Sequence, residues 1–264
     1  MSHASLLIAL DPVEMDLAAG DVDTAIAWQM EPFDENGEWF KSGSRWDWYV
    51  VGGRFTGQLS GYDPATDQRN FAICKWCGGT GQRKYMVIVG GCNGCDGTGT
   101  ARNFSNQEHG GDKMLRGALD LNALHQANIE SYTRNYRMAE RRNADGKFIY
   151  GVDPKEETLA EYLARFTGKP EQAVAHHAFV RNRHWHESER MGWFGTSAAT
   201  ECEIKAETAD VEVMVRRCKH KDKKTGAHLV VWQEPWEVWS LEFYKRFVEP
   251  LKPEALLVTV DDHV

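Results

Sequence analysis

Two short cysteine turns constrain this chain more than any other stretch. Residues 74–81 read Cys74-Lys75-Trp76-Cys77-Gly78-Gly79-Thr80-Gly81, and residues 92–99 read Cys92-Asn93-Gly94-Cys95-Asp96-Gly97-Thr98-Gly99. Both fit C-x-x-C-x-G-x-G, and together they make a C-x2-C-x14-C-x2-C array. Four thiolates so spaced can surround one Zn2+ tetrahedrally, at Zn–S distances of about 2.3 Å. The glycines allow the positive-φ backbone that turns the chain around an ion. Two other chemistries use paired cysteines: a pair of disulfides, or a redox C-x-x-C. A thioredoxin-like site carries one such motif at the opening of a helix. Here two copies flank the strand-like run Tyr85-Met86-Val87-Ile88-Val89. The array therefore predicts one structural Zn2+ on Cys74, Cys77, Cys92 and Cys95. Four protein ligands leave no open position for water or substrate.

The repeated pattern resembles the cysteine-rich zinc finger of DnaJ-type co-chaperones, in which two such repeats fold as a hairpin around each zinc. The resemblance covers about a tenth of the chain, over residues 74–99. DnaJ proteins carry four repeats and a J-domain His-Pro-Asp tripeptide. This chain has two repeats and no such tripeptide, so the resemblance implies the finger and not the co-chaperone role.

A second resemblance lies on either side. Trp46-Asp47-Trp48-Tyr49-Val50-Val51-Gly52-Gly53-Arg54-Phe55 reads W-D-W-Y-x-x-G-G-R plus an aromatic. Arg190-Met191-Gly192-Trp193-Phe194-Gly195 and the terminal Val260-Asp261-Asp262-His263 accompany it, Arg190 matching loosely. Together they resemble uncharacterised accessory proteins of bacteriophages, especially phages of actinobacteria. The resemblance implies phage origin and a host-cell cytosolic location, and that family offers no established activity.

The remaining bounds are broad. A chain of 264 residues suits one or two domains, and 42% hydrophobic with 27% charged residues is ordinary for a soluble globular protein. A net charge of -8 argues against wholesale coating of nucleic acid, while leaving room for a local basic patch. No apolar run approaches the roughly 20 residues that span a bilayer. The start Met1-Ser2-His3-Ala4 lacks the basic region of a secretory signal. Zinc thiolates fit a reducing cytosol, where Cys202 and Cys218 are expected as free thiols.

Local patterns give an order of elements. Residues 4–10 read as a buried strand, and Asp11-Pro12 with Glu14 as a helix start, with a second start at Asp21. Asn36-Gly37 marks a hairpin turn, after which Trp46, Trp48 and Val50 alternate with Asp47, Tyr49 and Val51. Core packing is the plain reading of the two tryptophans. Residues 119–142 form a helix ending in a cluster of arginines, and Asp153-Pro154-Lys155-Glu156 starts another. The spacing of Phe33, Asn36, Trp39 and Ser42 recurs in Phe179, Asn182, Trp185 and Ser188, consistent with a duplicated strand–helix unit. His184 and His186 share one face if extended, and with Glu187 or Glu189 could hold a second metal, against the plainer reading of a wet hairpin strand. Residues 201–215 and 227–232 read as two strands. The basic connection between them, with Arg216, Arg217, Lys219, Lys221, Lys223 and Lys224, reads as a hairpin tip that could grip phosphate or an acidic partner, against the plainer reading of a flexible solubilising tip. Pro235 starts a last helix, and residues 255–260 form the final strand.

These elements predict an α+β fold, ferredoxin-like or a related antiparallel sheet with helices on one face, plus an inserted zinc-binding hairpin. Residues 1–72 and 145–264 make the core domain, 73–101 the insertion and 102–144 a helical connection. Three functions fit. In the first, the protein is an accessory factor that binds a host protein or nucleic acid through the zinc hairpin and the basic tip. In the second, it is an enzyme acting on a nucleotide or other phosphate-bearing ligand with Asp47, Arg54, Asp261 and His263, Trp46 or Trp48 supplying a stacking surface. In the third, the same pocket sequesters that ligand without turnover. The absence of a complete catalytic constellation favours binding.

Overall fold

A computed structural model describes residues 3–34, 45–64, 66–84, 91–102, 110–144, 154, 156–191, 201–207, 213–221 and 228–263; for 102, 141–144, 201–207, 213–221 and 228–232 it describes the backbone alone. The chain opens with β1 (His3–Leu10), α1 (Pro12–Leu17) and α2 (Val22–Met30), followed by β2 (Trp48–Val51), β3 (Phe71–Ile73), β4 (Thr100–Arg102) and β5 (Lys113–Leu115). Then come α3 (Leu121–Ala144), α4 (Leu159–Phe166), β6 (Ala178–Arg181) and β7 (His184–Glu187). The last elements are β8 (Glu201–Glu207), β9 (Val213–Lys221), β10 (His228–Gln233), α5 (Trp236–Phe243) with a π-helical turn over Tyr244–Val248, and β11 (Leu256–His263).

The main sheet runs β2-β11-β1-β6-β7, with β5 also pairing to β11. The final strand returns antiparallel beside the first along its whole length, from His3 opposite His263 to Leu10 opposite Leu256. Residues 6–10 of β1 and 256–258 of β11 are continuous apolar runs, which suits strands buried on both faces. Leu7 and Ala9 with Leu257 face one way, against Trp239, Phe243 and Phe247 from the last helix and Leu124 of α3. Leu6, Ile8 and Leu10 with Val258 and Val260 face the other, against Ala25, Ile26 and Met30 of α2. Each large side chain buried in this way contributes about 1.5–3 kcal/mol relative to exposure. Trp239 also satisfies its indole N–H, which donates to the His176 carbonyl at 2.7 Å.

The α+β class holds, while the details differ from the sequence-based expectation. β1 and β6 are parallel, so the sheet is mixed and departs from an all-antiparallel ferredoxin-like order. Helices cover both faces rather than one, because both central strands are apolar on both sides. Within residues 102–144, β5 joins the main sheet through Leu115, Met114 and Lys113 opposite Leu256, Leu257 and Val258.

Helix starts are partly as predicted. Pro12 opens α1, and the Asp11 N–H donates to Glu14 at 2.7 Å; the Asp11 carboxylate itself pairs with Arg181. Of the start placed at Asp153-Pro154-Lys155-Glu156, Asp153 and Lys155 lie outside the described residues. α4 begins at Leu159, where the Thr158 hydroxyl and Glu161 cap one another. Among the described residues the duplicated unit finds no support, since Phe33 lies in a 3-10 turn and Phe179 in β6. Asn36, Trp39 and Ser42, like the Asn36-Gly37 turn and the run 85–89, lie outside the described residues.

β8, β9 and β10 form a separate three-stranded sheet with β9 in the centre. This corrects the reading of a basic hairpin tip. Arg216, Arg217, Lys219 and Lys221 lie within β9, paired on both edges, while Lys223 and Lys224 fall outside the described residues. Glu201 is the register partner of Lys219 and Glu203 that of Arg217, and oppositely charged residue types at paired positions favour strand pairing. Among the described residues no helix is long and apolar enough to cross a membrane.

Candidate functional site

Three groups of residues carry chemistry. The first is the cysteine array, mounted on the paired strands β3 and β4, with Phe71, Ala72 and Ile73 opposite Arg102, Ala101 and Thr100. The two turns grip each other reciprocally: the Cys74 N–H donates to the Gly99 carbonyl at 2.9 Å and the Cys92 N–H to the Gly81 carbonyl at 2.7 Å. Thr80 and Thr98 repeat the symmetry, each hydroxyl donating to the carbonyl of its turn's second cysteine, Cys77 or Cys95. Gly81 has φ +74° and would bring a Cβ within 2.4 Å of the Gly97 carbonyl, so only glycine fits there.

All four cysteines are buried, and their sulfurs lie within 4.8 Å of one another. The Cys74–Cys92 and Cys77–Cys95 sulfur separations are 4.0 and 3.7 Å. A tetrahedral ion with metal–sulfur bonds of about 2.3 Å needs edges of about 3.8 Å. The group therefore fits one metal ion, with all four corners filled by protein. Burial raises the Cys77 thiol, but N–H groups of Gly81 and Gly79 outweigh it and bring it down to about 7. Burial pushes Cys95 up to about 11, so a cation is needed for all four to ionise together. On the outside of this hairpin Trp76 is 56% exposed, with the Arg83 guanidinium 4.6 Å from its ring centre.

The second group lies where β1, β2 and β11 end together. The structure brings Asp47, Asp261, His263 and the backbone of Arg54 into one polar cluster. His263 Nδ1 pairs with Asp47, while the Asp47 N–H donates to the His263 carbonyl at 3.2 Å. Asp261 accepts from the Arg54 N–H at 2.9 Å and pairs with His3 Nδ1 at 2.8 Å. The indole of Trp48 stacks on the His263 ring, centres 5.0 Å apart, and meets the His3 ring edge-on. Gly53 makes the close approach possible: at φ +55°, its Cβ would lie 2.2 Å from the Asp261 Cβ. Asp261 and His263 are each 2% exposed, so these side chains are packed and hydrogen-bonded at the sheet end rather than open to solvent. Trp46 is elsewhere. Its indole N–H donates to the Met30 carbonyl at 3.0 Å and its ring packs edge-on to Tyr49 on the α2 face.

Arg54 also lines the third group, a cleft of about 420 Å³ on the α5 side of the sheet. Its walls come from residues 54–64, from α3 and from the segments around His177 and Arg190. The 54–64 loop is pinned by Asp112, whose carboxylate accepts from the Thr56 hydroxyl at 2.7 Å and the Gly57 N–H at 2.8 Å. Arg54 and Arg190 are both exposed, and among the described residues neither guanidinium meets a carboxylate. Arg190 lies 4.4 Å above the Trp236 ring, which holds it over the cleft. His177 is set between Phe55 and Trp236, both edge-on. Its Nδ1 accepts from the Ser5 N–H at 3.2 Å, which leaves the proton on Nε2. Burial, and then the Arg190 charge, push its pKa down to about 4, so it stays neutral near pH 7. Asp63, the one carboxylate among the lining residues, is ion-paired with Arg134.

Of the candidate pocket residues named from the sequence, Arg54 alone lines this cleft; Trp46, Trp48, Asp47, Asp261 and His263 do not. His3, His177 and Arg190 escaped sequence reasoning as site residues. Arg190 directly precedes the Met-Gly-Trp segment, which is the one sequence signal that pointed near it. His184 and His186 gather no third donor, since the cysteines are the only cluster of three or more potential metal ligands among the described residues. His184 Nδ1 bonds the Asn182 carbonyl, and the His186 ring packs against Phe247. Comparisons with protein-family models, with curated proteins and with solved structures gave no match.

Proposed function

We propose that the protein binds and holds a small phosphate-bearing ligand, a nucleotide among the candidates, in the cleft between Arg54 and Arg190. The observation that carries this reading is that two exposed arginines, without carboxylate partners among the described residues, line one cavity. Guanidinium presents a planar fork of donors that matches phosphate oxygens. His177 adds a fixed, neutral N–H donor beside them. Among the described residues the cleft supplies donors and no free base: His177 Nδ1 is occupied and Asp63 is paired. That composition favours sequestration over turnover. The Asp–His pairs at the sheet end then act as scaffold, with Asp261 fixing the backbone of Arg54.

The cysteine group holds one structural Zn2+, which stabilises the hairpin and takes no part in chemistry, because its four ligands leave no open position. Calorimetric titration with inorganic phosphate and with adenosine monophosphate tests the ligand reading. Each charge-assisted contact is worth about 1.5–3 kcal/mol, so Arg54→Ala and Arg190→Ala should each weaken binding about 10–100-fold. Affinity unchanged in the double variant, or no binding by the unaltered protein at millimolar ligand, refutes it.

A second reading rests on Trp76. A large exposed indole flanked by Lys75 and Arg83 supports a contact with a protein or single-stranded nucleic acid partner at the hairpin. Trp76→Ala should abolish binding of a labelled oligonucleotide if that partner is nucleic acid, and leave phosphate binding in the cleft intact.

A further inference from the structure

Two cysteines lie outside the metal group, and β-sheet pairing places them together. Cys202 on β8 and Cys218 on β9 are direct register partners in an antiparallel ladder. Directly opposed residues in such a ladder have Cα atoms about 4.5 or 5.5 Å apart, according to whether the pair exchanges hydrogen bonds. Both values fall within the range of about 4.4–6.8 Å that a disulfide spans. Register partners also sit on the same side of the ladder. Cys218 is flanked in sequence by Arg216, Arg217, Lys219 and Lys221, the densest positive run of the chain. Nearby cations favour the thiolate, the form that attacks a disulfide.

We propose that Cys202 and Cys218 are a reversible dithiol site, closed as a cross-strand disulfide by low-molecular-weight disulfides. The Cys218 thiolate attacks one sulfur of oxidised glutathione, forming a mixed disulfide and releasing one glutathione as thiolate, which takes up a proton. The Cys202 thiol then loses its proton and attacks the Cys218 sulfur of the mixed disulfide, and the second glutathione leaves. Two cysteines are oxidised and one glutathione disulfide is reduced to two thiols, so electrons balance. Closing this bond staples β8 to β9, the strand that also carries the pairing with β10. The four cysteines of the array are a separate group, buried together with their sulfurs within 4.8 Å of one another.

The test uses the full chain with zinc present. After exposure to oxidised glutathione, the protein is unfolded in excess alkylating reagent, digested and mapped by mass spectrometry. The expected result is a cross-linked peptide pair containing Cys202 and Cys218, two hydrogens lighter than the free peptides, with the four array cysteines alkylated. Dithiothreitol should release it. In Cys202→Ser, Cys218 should instead be trapped as the mixed disulfide with glutathione. The proposal is overturned if both cysteines remain alkylable in the unaltered protein, if the cross-link joins either to the array or to a second chain, or if only stable glutathione adducts form.

Discussion

Asp262 offers the sharpest test of how this core is built. It sits on β11 opposite Ala4 and Tyr49, fully excluded from solvent, and among the described residues neither carboxylate oxygen has a hydrogen-bond partner. Burial raises its pKa well above the ordinary carboxylate range, and the negative charges of Asp261, Asp47 and Glu187 add to the effect. The carboxyl is therefore protonated in the folded protein at pH values where the unfolded chain, with a pKa of about 3.9, has released its proton. In that window the unfolded state binds fewer protons than the folded state, so stability falls as pH rises. The slope is about 1.4 kcal/mol for each pH unit and ends where the folded carboxyl itself ionises. Asp262→Asn keeps the shape and removes the titration. As pH rises above the unfolded carboxyl's value, the variant should gain steadily on the unaltered protein, by up to about 1.4 kcal/mol per pH unit until the folded carboxyl itself ionises. Urea unfolding at pH 5, 6 and 7, with Zn2+ held constant and tryptophan fluorescence as the signal, measures the difference. Other titrating groups cancel in it. A stability gap that stays flat across this range, or narrows as pH rises, refutes the reasoning.

Three further outcomes follow from the same structure. Metal analysis of the purified protein should find one zinc per chain, and a chelator strong enough to remove it should erase the hairpin amide signals in NMR while Trp239 in the core stays protected. Gly53→Ala should cost about 2–4 kcal/mol in a thermal or urea melt, from the left-handed backbone and the collision with Asp261. His176 is wholly buried, with Nδ1 on the Val174 carbonyl and Nε2 on the Thr259 hydroxyl, and burial pushes its pKa down to about 3. Its folded pKa lies below the unfolded value of about 6.5, so stability falls by about 1.4 kcal/mol per unit as pH drops below that value. NMR should find the ring neutral at pH 5.

The division between what sequence and tertiary structure decide follows the range of the forces involved. The cysteine turns, the apolar runs of β1 and β11 and the helix starts at Pro12 and Asp21 are written in residues a few positions apart, and so could be read directly. The spacing of thiols and glycines sets the geometry of a metal group whatever surrounds it. The basic run 216–221 misled because its charges match loop chemistry, while its place in β9 depends on Glu201 and Glu203 arriving opposite from another strand. The parallel pairing of β1 with β6 is equally non-local, and it turns an expected antiparallel sheet into a mixed one. The candidate site shows the same limit. Asp47, Arg54, Asp261 and His263 could be named as a group, yet only packing decided that the Asp and His side chains are locked into the sheet end while Arg54 lines a cleft shared with Arg190 and His177. Which atom of a residue is buried and which is offered to a ligand depends on neighbours brought in by the fold, and no local pattern records them.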